Sequence, residues 1–566
     1  MPSLASPSPN GSALPAPPGP EAQRLGERLS LTTTVAEWLR RRGHDDSDET
    51  RRFLDPKLAH LSDPDGMADR AVAAERLARA VKNRERIAVF GDYDCDGITS
   101  TAIVTEVLRE LGGEVVPMLA SRFDGGYGVS AAAVDRIVKS GARVLVTCDC
   151  GSSDHVSLAA LRAHGLETVV IDHHLVPDEP LPALAFLNPH RPDCGFAYKG
   201  LASCGLALSL GAALRTALGK KLDLRRWLDL VAIGTIADVA PLDGDNRALV
   251  RAGLALLGTT PRPGLRALAA LAKLDPNCPV GARDVAFRIA PRLNAPGRMG
   301  PPDLALELLL ARSESAAEAL AASVEALSDQ RRAVQETMTA EAIADIEQGG
   351  FESRAAIVIG REGWNAGIVG IVAGRLADRY GKPTVVIGFD GGKGRGSVRG
   401  PKGSRLYDAL AAVAEHLDRF GGHQAAAGLE VPIERLAVLR ASFEEAVLRA
   451  SDGAPALEGI DAVRLASGDD PSFVVRDIER LEPWGNGNPA PRLVVEGKVT
   501  GAREVRGGHL KLDLVMDGGR RIGCFGVGMG GAVPDVGSSV AVLGEMRRDT
   551  YRGGSAVEML VERVFP

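Results

Sequence analysis

At 566 residues, with 45% hydrophobic and 25% charged side chains, the chain is too long for one core and has apolar material for several. Its net charge of −6 excludes a surface that coats nucleic acid generally, so any nucleic-acid site must be a local basic channel. Seven cysteines without paired spacing speak against a disulfide framework, no apolar run is long enough to span a bilayer, and no basic leader precedes the first apolar residues; a cytoplasmic protein is expected.

Residues 1–24 are rich in Pro, Ser and Ala and are expected to be disordered. Residues 25–84 carry apolar side chains at three- and four-residue spacing, in TVAEWLRRRG and DRAVAAERLARAVKN, which predicts a helical segment. The period then changes. RIAVF, EVVPMLA, RVLVTCD and ETVVID are short β-branched runs separated by helical patterns. Strand alternating with helix predicts an α/β domain over 85–312, with a parallel sheet covered on both faces and a mainly helical later part. Residues 313–350 read as one long connecting helix; Ser315 with Glu318 matches a capping box, and Gly349-Gly350 closes it. A smaller α/β pattern follows over 351–452. It contains GGKGRGSVRGPKGSR, a basic run interleaved with glycine and free of acid. Residues 453–566 read as short strands joined by Gly-rich turns, which suits a small β-barrel of OB type.

The acids and histidines recur where the strands end, and in an open parallel sheet ligands gather at the carboxyl ends of strands. Asp92, Asp94 and Asp96 follow the first strand; Asp149 ends the third; Asp172-His173-His174 ends the fourth; Asp238 follows an apolar helix. Carboxylates packed this closely call for a cation, and carboxylate oxygen with one or two imidazoles suits Mn²⁺ or Mg²⁺. A calcium loop at DYDCDG lacks its closing Glu.

GDYDCDG, SRFDGGYG, TCDCG, DHH, NPHRPDC, GTIADVAPL, RLNAPGRM and GGHQAAAG occur in this order. The set resembles the DHH phosphoesterase superfamily and, within it, the RecJ single-stranded-DNA-specific exonucleases. The resemblance implies a DHH domain, a DHH-associated domain, an OB domain, and a nuclease that degrades single strands from the 5′ end to 5′-mononucleotides in DNA repair and recombination. It implies two Mn²⁺ or Mg²⁺ ions on Asp94, Asp96, Asp149, His173 and Asp238, with Asp149 the shared ligand. His174 then faces the scissile phosphate, and Asp92 and Asp172 orient the ligands. A 5′-phosphate and strand site falls to Arg122, Arg298, Ser397, Arg399 and His423, and the barrel offers Arg547, Arg548, Tyr551 and Arg552 as DNA contacts. Single-stranded DNA is the expected partner, with a single-strand-binding protein and a helicase beside it, no membrane, and a monomer. The pattern departs at Asn365, where the resembling chains carry His, and at Gly400, where they carry Ser. A short-oligonucleotide phosphodiesterase, a pyrophosphatase and a catalytically inactive binding scaffold are the rival readings; five intact ligands argue against the last, and the extra domains against the other two.

Overall fold

The computed structural model describes residues 14–123, 126–424, 426–451, 460–531, 533–549, 554 and 556–566. The apolar runs become strands, Arg86–Gly91 (β1), Glu114–Leu119 (β2), Val144–Cys148 (β3), Glu167–Ile171 (β4) and Ala185–Leu187 (β5); all but β2, which is half-buried, are buried along nearly their whole length. They form one parallel sheet in the order β2-β1-β3-β4-β5. Ala88, Phe90, Leu145 and Val170 pack on Ala133, Ile137, Leu158 and Leu161 of helices Ala131–Lys139 and His155–Ala163. The chain leaves β1 toward β2 and leaves β3 toward β4, so the direction of winding reverses between β1 and β3. At such a reversal the flanking loops part and open a crevice beyond the carboxyl ends of both strands. That crevice is where the acids fall.

Helix Glu314–Gly349 runs 36 residues. Its cap is Ser313, whose hydroxyl accepts from Ala316 N–H at 3.3 Å, two residues before the capping box expected at Ser315. Ser315 has the Glu three positions on that a capping box asks for, but Ser313 has the extended backbone that a cap needs. The second sheet has the order β6-β7-β8-β10-β9, from Ile357–Glu362 (β6), Thr384–Asp390 (β7), Lys393–Arg399 (β8), Arg419–His423 (β9) and Ala426–Pro432 (β10). Gly391 and Gly392, at φ +55° and +81°, make the two-residue hairpin between β7 and β8. Much of the basic run is therefore a strand. Strand alternation sets Lys393, Arg395, Ser397 and Arg399 on one face, while Val398 joins the core with Val385, Ile387 and Phe389.

The chain divides into two compact units: Pro64–Asp238 with Ala255–Pro455, which holds both sheets above, and Met1–Asp63 with Val239–Leu254 and Ala456–Pro566. In the second unit, strands Val463–Arg464 (β11), Leu493–Val505 (β12), His509–Val515 (β13), Arg521–Gly526 (β14), Ser539–Arg548 (β15) and Val557–Phe565 (β16) form one sheet. The β12–β15 pairing closes its last five strands into a barrel. Helix Pro20–Leu29 starts inside the stretch expected to be disordered. Proline at its first position and buried Ala22, Leu25 and Leu29 explain why: the polar composition hides an apolar stripe that joins the barrel core beside Trp38 and Leu39. Residues 239–254 group with this unit rather than with the first domain, where the sequence reading kept them. Buried Arg247 donates to Phe53 O at 2.8 Å and Leu481 O at 2.9 Å, and Leu242 N–H to Asn486 O at 2.7 Å.

Candidate metal centre

After β1 the main chain turns through Asp92 and Tyr93 into helix Cys95–Glu110. Asp94 caps that helix: its Oδ1 accepts from Asp96 N–H at 3.0 Å and Gly97 N–H at 3.1 Å. Gly97 is required here, because a Cβ would lie 2.5–2.8 Å from the main-chain atoms of Asp92. Asp149 follows β3 at φ +63°, a left-handed conformation that a non-glycine residue holds only at a cost. Its N–H still donates to Ile171 O at 2.9 Å. Asp172 and the two histidines follow β4, and Asp238 ends helix Leu228–Ala237.

These side chains converge. His173 Nε2 lies 3.3 Å from Asp149 Oδ1 and 3.7 Å from Asp238 Oδ2. Three groups of donor atoms each fall within 4.8 Å: Asp92, Asp94 and Asp149; Asp96, His173 and Asp238; Asp149, His173 and His174. Asp149 belongs to two of them. Asp92, expected only to orient others, is itself in a donor group, and its Oδ1 is buried without a hydrogen-bond partner. Asp172 is in none. Its Oδ1 accepts from His173 N–H, His174 N–H and His174 Nδ1, and its Oδ2 from Ser152 N–H. Burial alone would raise the Asp172 carboxyl and lower the His174 imidazole; their mutual bond, 2.8 Å long, outweighs it, holding Asp172 at about 2 and His174 at about 9.

The charges show what is missing from a purely protein account. Burial, and then Asp96 and Asp94, push Asp149 well above the ordinary carboxylate range and Asp238 to about 8; burial and Asp94 raise Asp92. His173 goes the other way, lowered by burial, and its Nε2 has no hydrogen-bond partner. Crowded carboxylates and a neutral imidazole with a free nitrogen fit hard divalent cations, and mixed O/N donors fit Mn²⁺ and Mg²⁺.

A cavity of about 570 Å³ in the same unit is lined by Tyr93, Arg122 and Tyr127 from the first sheet's loops and by Arg395, Arg419 and Phe420 from the second sheet. The Arg122 guanidinium stacks 4.3 Å from the Tyr93 ring, and its Nε is buried without a partner. Arg298 Nη1 donates to Gly367 O at 3.0 Å; burial, then repulsion from Arg122, lowers this guanidinium to about 10. Arg399 Nη1 donates to Ser397 Oγ and Val398 O, both at 2.8 Å. These two side chains meet the start of helix Val369–Tyr380, where a Cβ on Gly370 would lie 3.2 Å from Ser397 Oγ and 3.3 Å from Arg399 Nη2. Asn365 Oδ1 accepts from Gly367 N–H at 2.7 Å, so this residue shapes the turn that offers Gly367 O to Arg298.

His423 ends β9. Arg547 is engaged by Glu558 at 2.8 Å, and Arg548 by Glu479 at 2.9 Å; Tyr551 and Arg552 lie outside the described residues. Two neighbours of the acids escaped the sequence reading. Tyr127 OH donates to Asp149 O at 3.2 Å, and its motif, SRFDGGYG, was the available signal. Ser203 Oγ donates to Asp149 Oδ1 at 3.0 Å, with no motif to mark it.

Three family descriptions match the chain: "DHH family, N-terminal domain" over residues 86–235, "DHHA1 domain" over 353–448, and "RecJ OB domain" over 468–563. The chain is 34% identical to the single-stranded-DNA-specific exonuclease RecJ of Bacillus subtilis, over 96% of this chain and 69% of that one. Its fold is similar to RecJ of Thermus thermophilus in complex with Mn²⁺, with a TM-score of 0.82 and 31% identity, covering 98% of this chain and 79% of the other. The Mg²⁺ complex of the same organism's RecJ matches with a TM-score of 0.74 and 29% identity, over 98% and 78%.

Proposed function

The chain belongs to the RecJ family of single-stranded-DNA-specific exonucleases, and from that premise we propose that it hydrolyses single-stranded DNA from the 5′ end to 5′-mononucleotides, with Mn²⁺ or Mg²⁺, in repair and recombination. The observation that carries the reading is the convergence of acids and His173 at the β1/β3 reversal, beside a cavity that Arg395 and Arg419 make basic.

Asp94, Asp96, Asp149, His173 and Asp238 are assigned as ion ligands, Asp149 is shared, and Asp92 joins the oxygen-only group. When bound, the divalent ions supply an activated water and neutralise charge on the attacking and leaving oxygens. Asp172 engages His174 Nδ1, which leaves Nε2 to meet a phosphate oxygen. Arg298, Ser397 and Arg399, with Arg122, hold the terminal phosphate; burial partly desolvates the Arg298 and Arg399 guanidiniums, which strengthens a charge-assisted bond. Tyr93, Tyr127 and Phe420 offer ring faces to bases, which suits a sequence-tolerant single strand. We extend the proposal to a monomer acting in the cytoplasm beside a helicase and a single-strand-binding protein; cysteines that are all unpaired suit a reducing compartment.

Digestion of single strands labelled at either end, with Mn²⁺ or Mg²⁺, tests this. The 5′ label should leave at once as a mononucleotide while the 3′ label stays on shortening fragments, and a blunt duplex should resist. Early release of the 3′ label would overturn the polarity.

A further inference from the structure

Ser203 is fully buried at the first turn of helix Ser203–Ala217, in the apolar stretch LASCGLALSLG. Three hydrogen bonds leave this helix end toward the acids. Ser203 N–H donates to Asp96 Oδ2 at 2.7 Å, Cys204 N–H to Asp96 Oδ1 at 3.0 Å, and Ser203 Oγ to Asp149 Oδ1 at 3.0 Å. The main-chain bonds need no particular side chain; the third does. Among the described residues, Ser203 is the one hydroxyl that donates to the Asp149 carboxylate. Among the described residues, the nitrogens close to that oxygen are His173 Nε2 at 3.3 Å and His174 Nδ1 at 3.8 Å, and Asp172 already engages His174 Nδ1.

Asp149 thus has an unusual backbone, membership of two donor groups, and a single hydroxyl to fix the rotation of its carboxylate. We propose that Ser203 is a positioning residue of the metal centre: its hydroxyl sets the plane of the Asp149 carboxylate so that one side chain serves both groups. The proposal rests on the reading of Asp149 as a shared ligand. A carboxylate that must stop rotating on binding an ion pays for it in affinity, and partners that orient a metal ligand typically contribute about 10- to 100-fold.

The test is titration calorimetry of Mn²⁺ into EDTA-stripped, dialysed protein: wild type, Ser203→Ala, Ser203→Thr and Asp149→Asn. Ser203→Ala should lose about 10- to 100-fold in Mn²⁺ affinity, with its melting temperature in EDTA unchanged. Ser203→Thr, which keeps the hydroxyl, should restore binding. Wild-type Mn²⁺ affinity in Ser203→Ala overturns the proposal, whatever threonine does. A loss matched by a lower melting temperature in EDTA assigns the serine to the fold and overturns it as well. Asp149→Asn separates the premises: if it binds Mn²⁺ as wild type does, the ligand assignment itself falls, whereas loss there with none in Ser203→Ala removes only the role of Ser203.

Discussion

Replacing Arg399 with alanine removes a guanidinium that is partly buried and that has no ion pair among the described residues. Its Nη1 is committed to Ser397 Oγ and Val398 O, while Nη2 faces the first turn of helix Val369–Tyr380 beside Gly370. A terminal phosphate there meets a cation already oriented and not neutralised. Loss of one charge-assisted hydrogen bond costs about 1.5–3 kcal/mol, which is roughly 10- to 150-fold in affinity. The assay is fluorescence anisotropy on one labelled single strand prepared with a 5′-phosphate and with a 5′-hydroxyl, in EDTA so that neither is cut. Arg399→Ala should lose that factor on the phosphorylated strand and little on the other. Arg399→Lys keeps the charge without the planar fork and should fall between. Equal losses on the two strands would refute the assignment and make Arg399 a contact to the strand's interior.

Two further outcomes follow from the acid cluster. Asp149→Ala should abolish hydrolysis while single-strand binding in EDTA survives; activity within about tenfold of wild type would remove the shared-ligand role. Mn²⁺ binding should release protons, because Asp238, raised to about 8, keeps its proton at neutral pH until a cation displaces it. Affinity should therefore fall as pH is lowered from about 8 to about 6, and a calorimetric heat that is the same in buffers of different ionisation enthalpy would contradict this.

The acid cluster was legible because two independent regularities coincide at most of its members. A β-branched run marks a strand, and an acid directly after it marks the sheet edge where ligands collect, so Asp94, Asp149 and His173 could be set in one crevice without coordinates. Sequence order does not say which of three neighbouring carboxylates turns inward; in the fold Asp94 caps the helix and Asp92 Oδ1 is buried without a hydrogen-bond partner. Ser203 left no trace, since a serine opening an apolar helix has the same appearance whether it binds its own backbone or a distant carboxylate. The helix at Pro20 was hidden by averaging: composition counts residues, and three buried side chains at helical spacing are enough to fold a polar segment. For Arg547 and Arg548 the sequence showed the charge but not the partners, Glu558 and Glu479, that the fold sets beside them.

The contact between Gly97 and the main chain of Asp92 has a wider bearing. It fixes the step from β1 into its helix by backbone touching backbone, with no soft side chain in between to give way. A larger residue at this position would have to part the strand end from the helix, and Asp92, Asp94 and Asp96 would be carried apart with them. The spacing of three acids is thus held by a residue that has no side chain of its own.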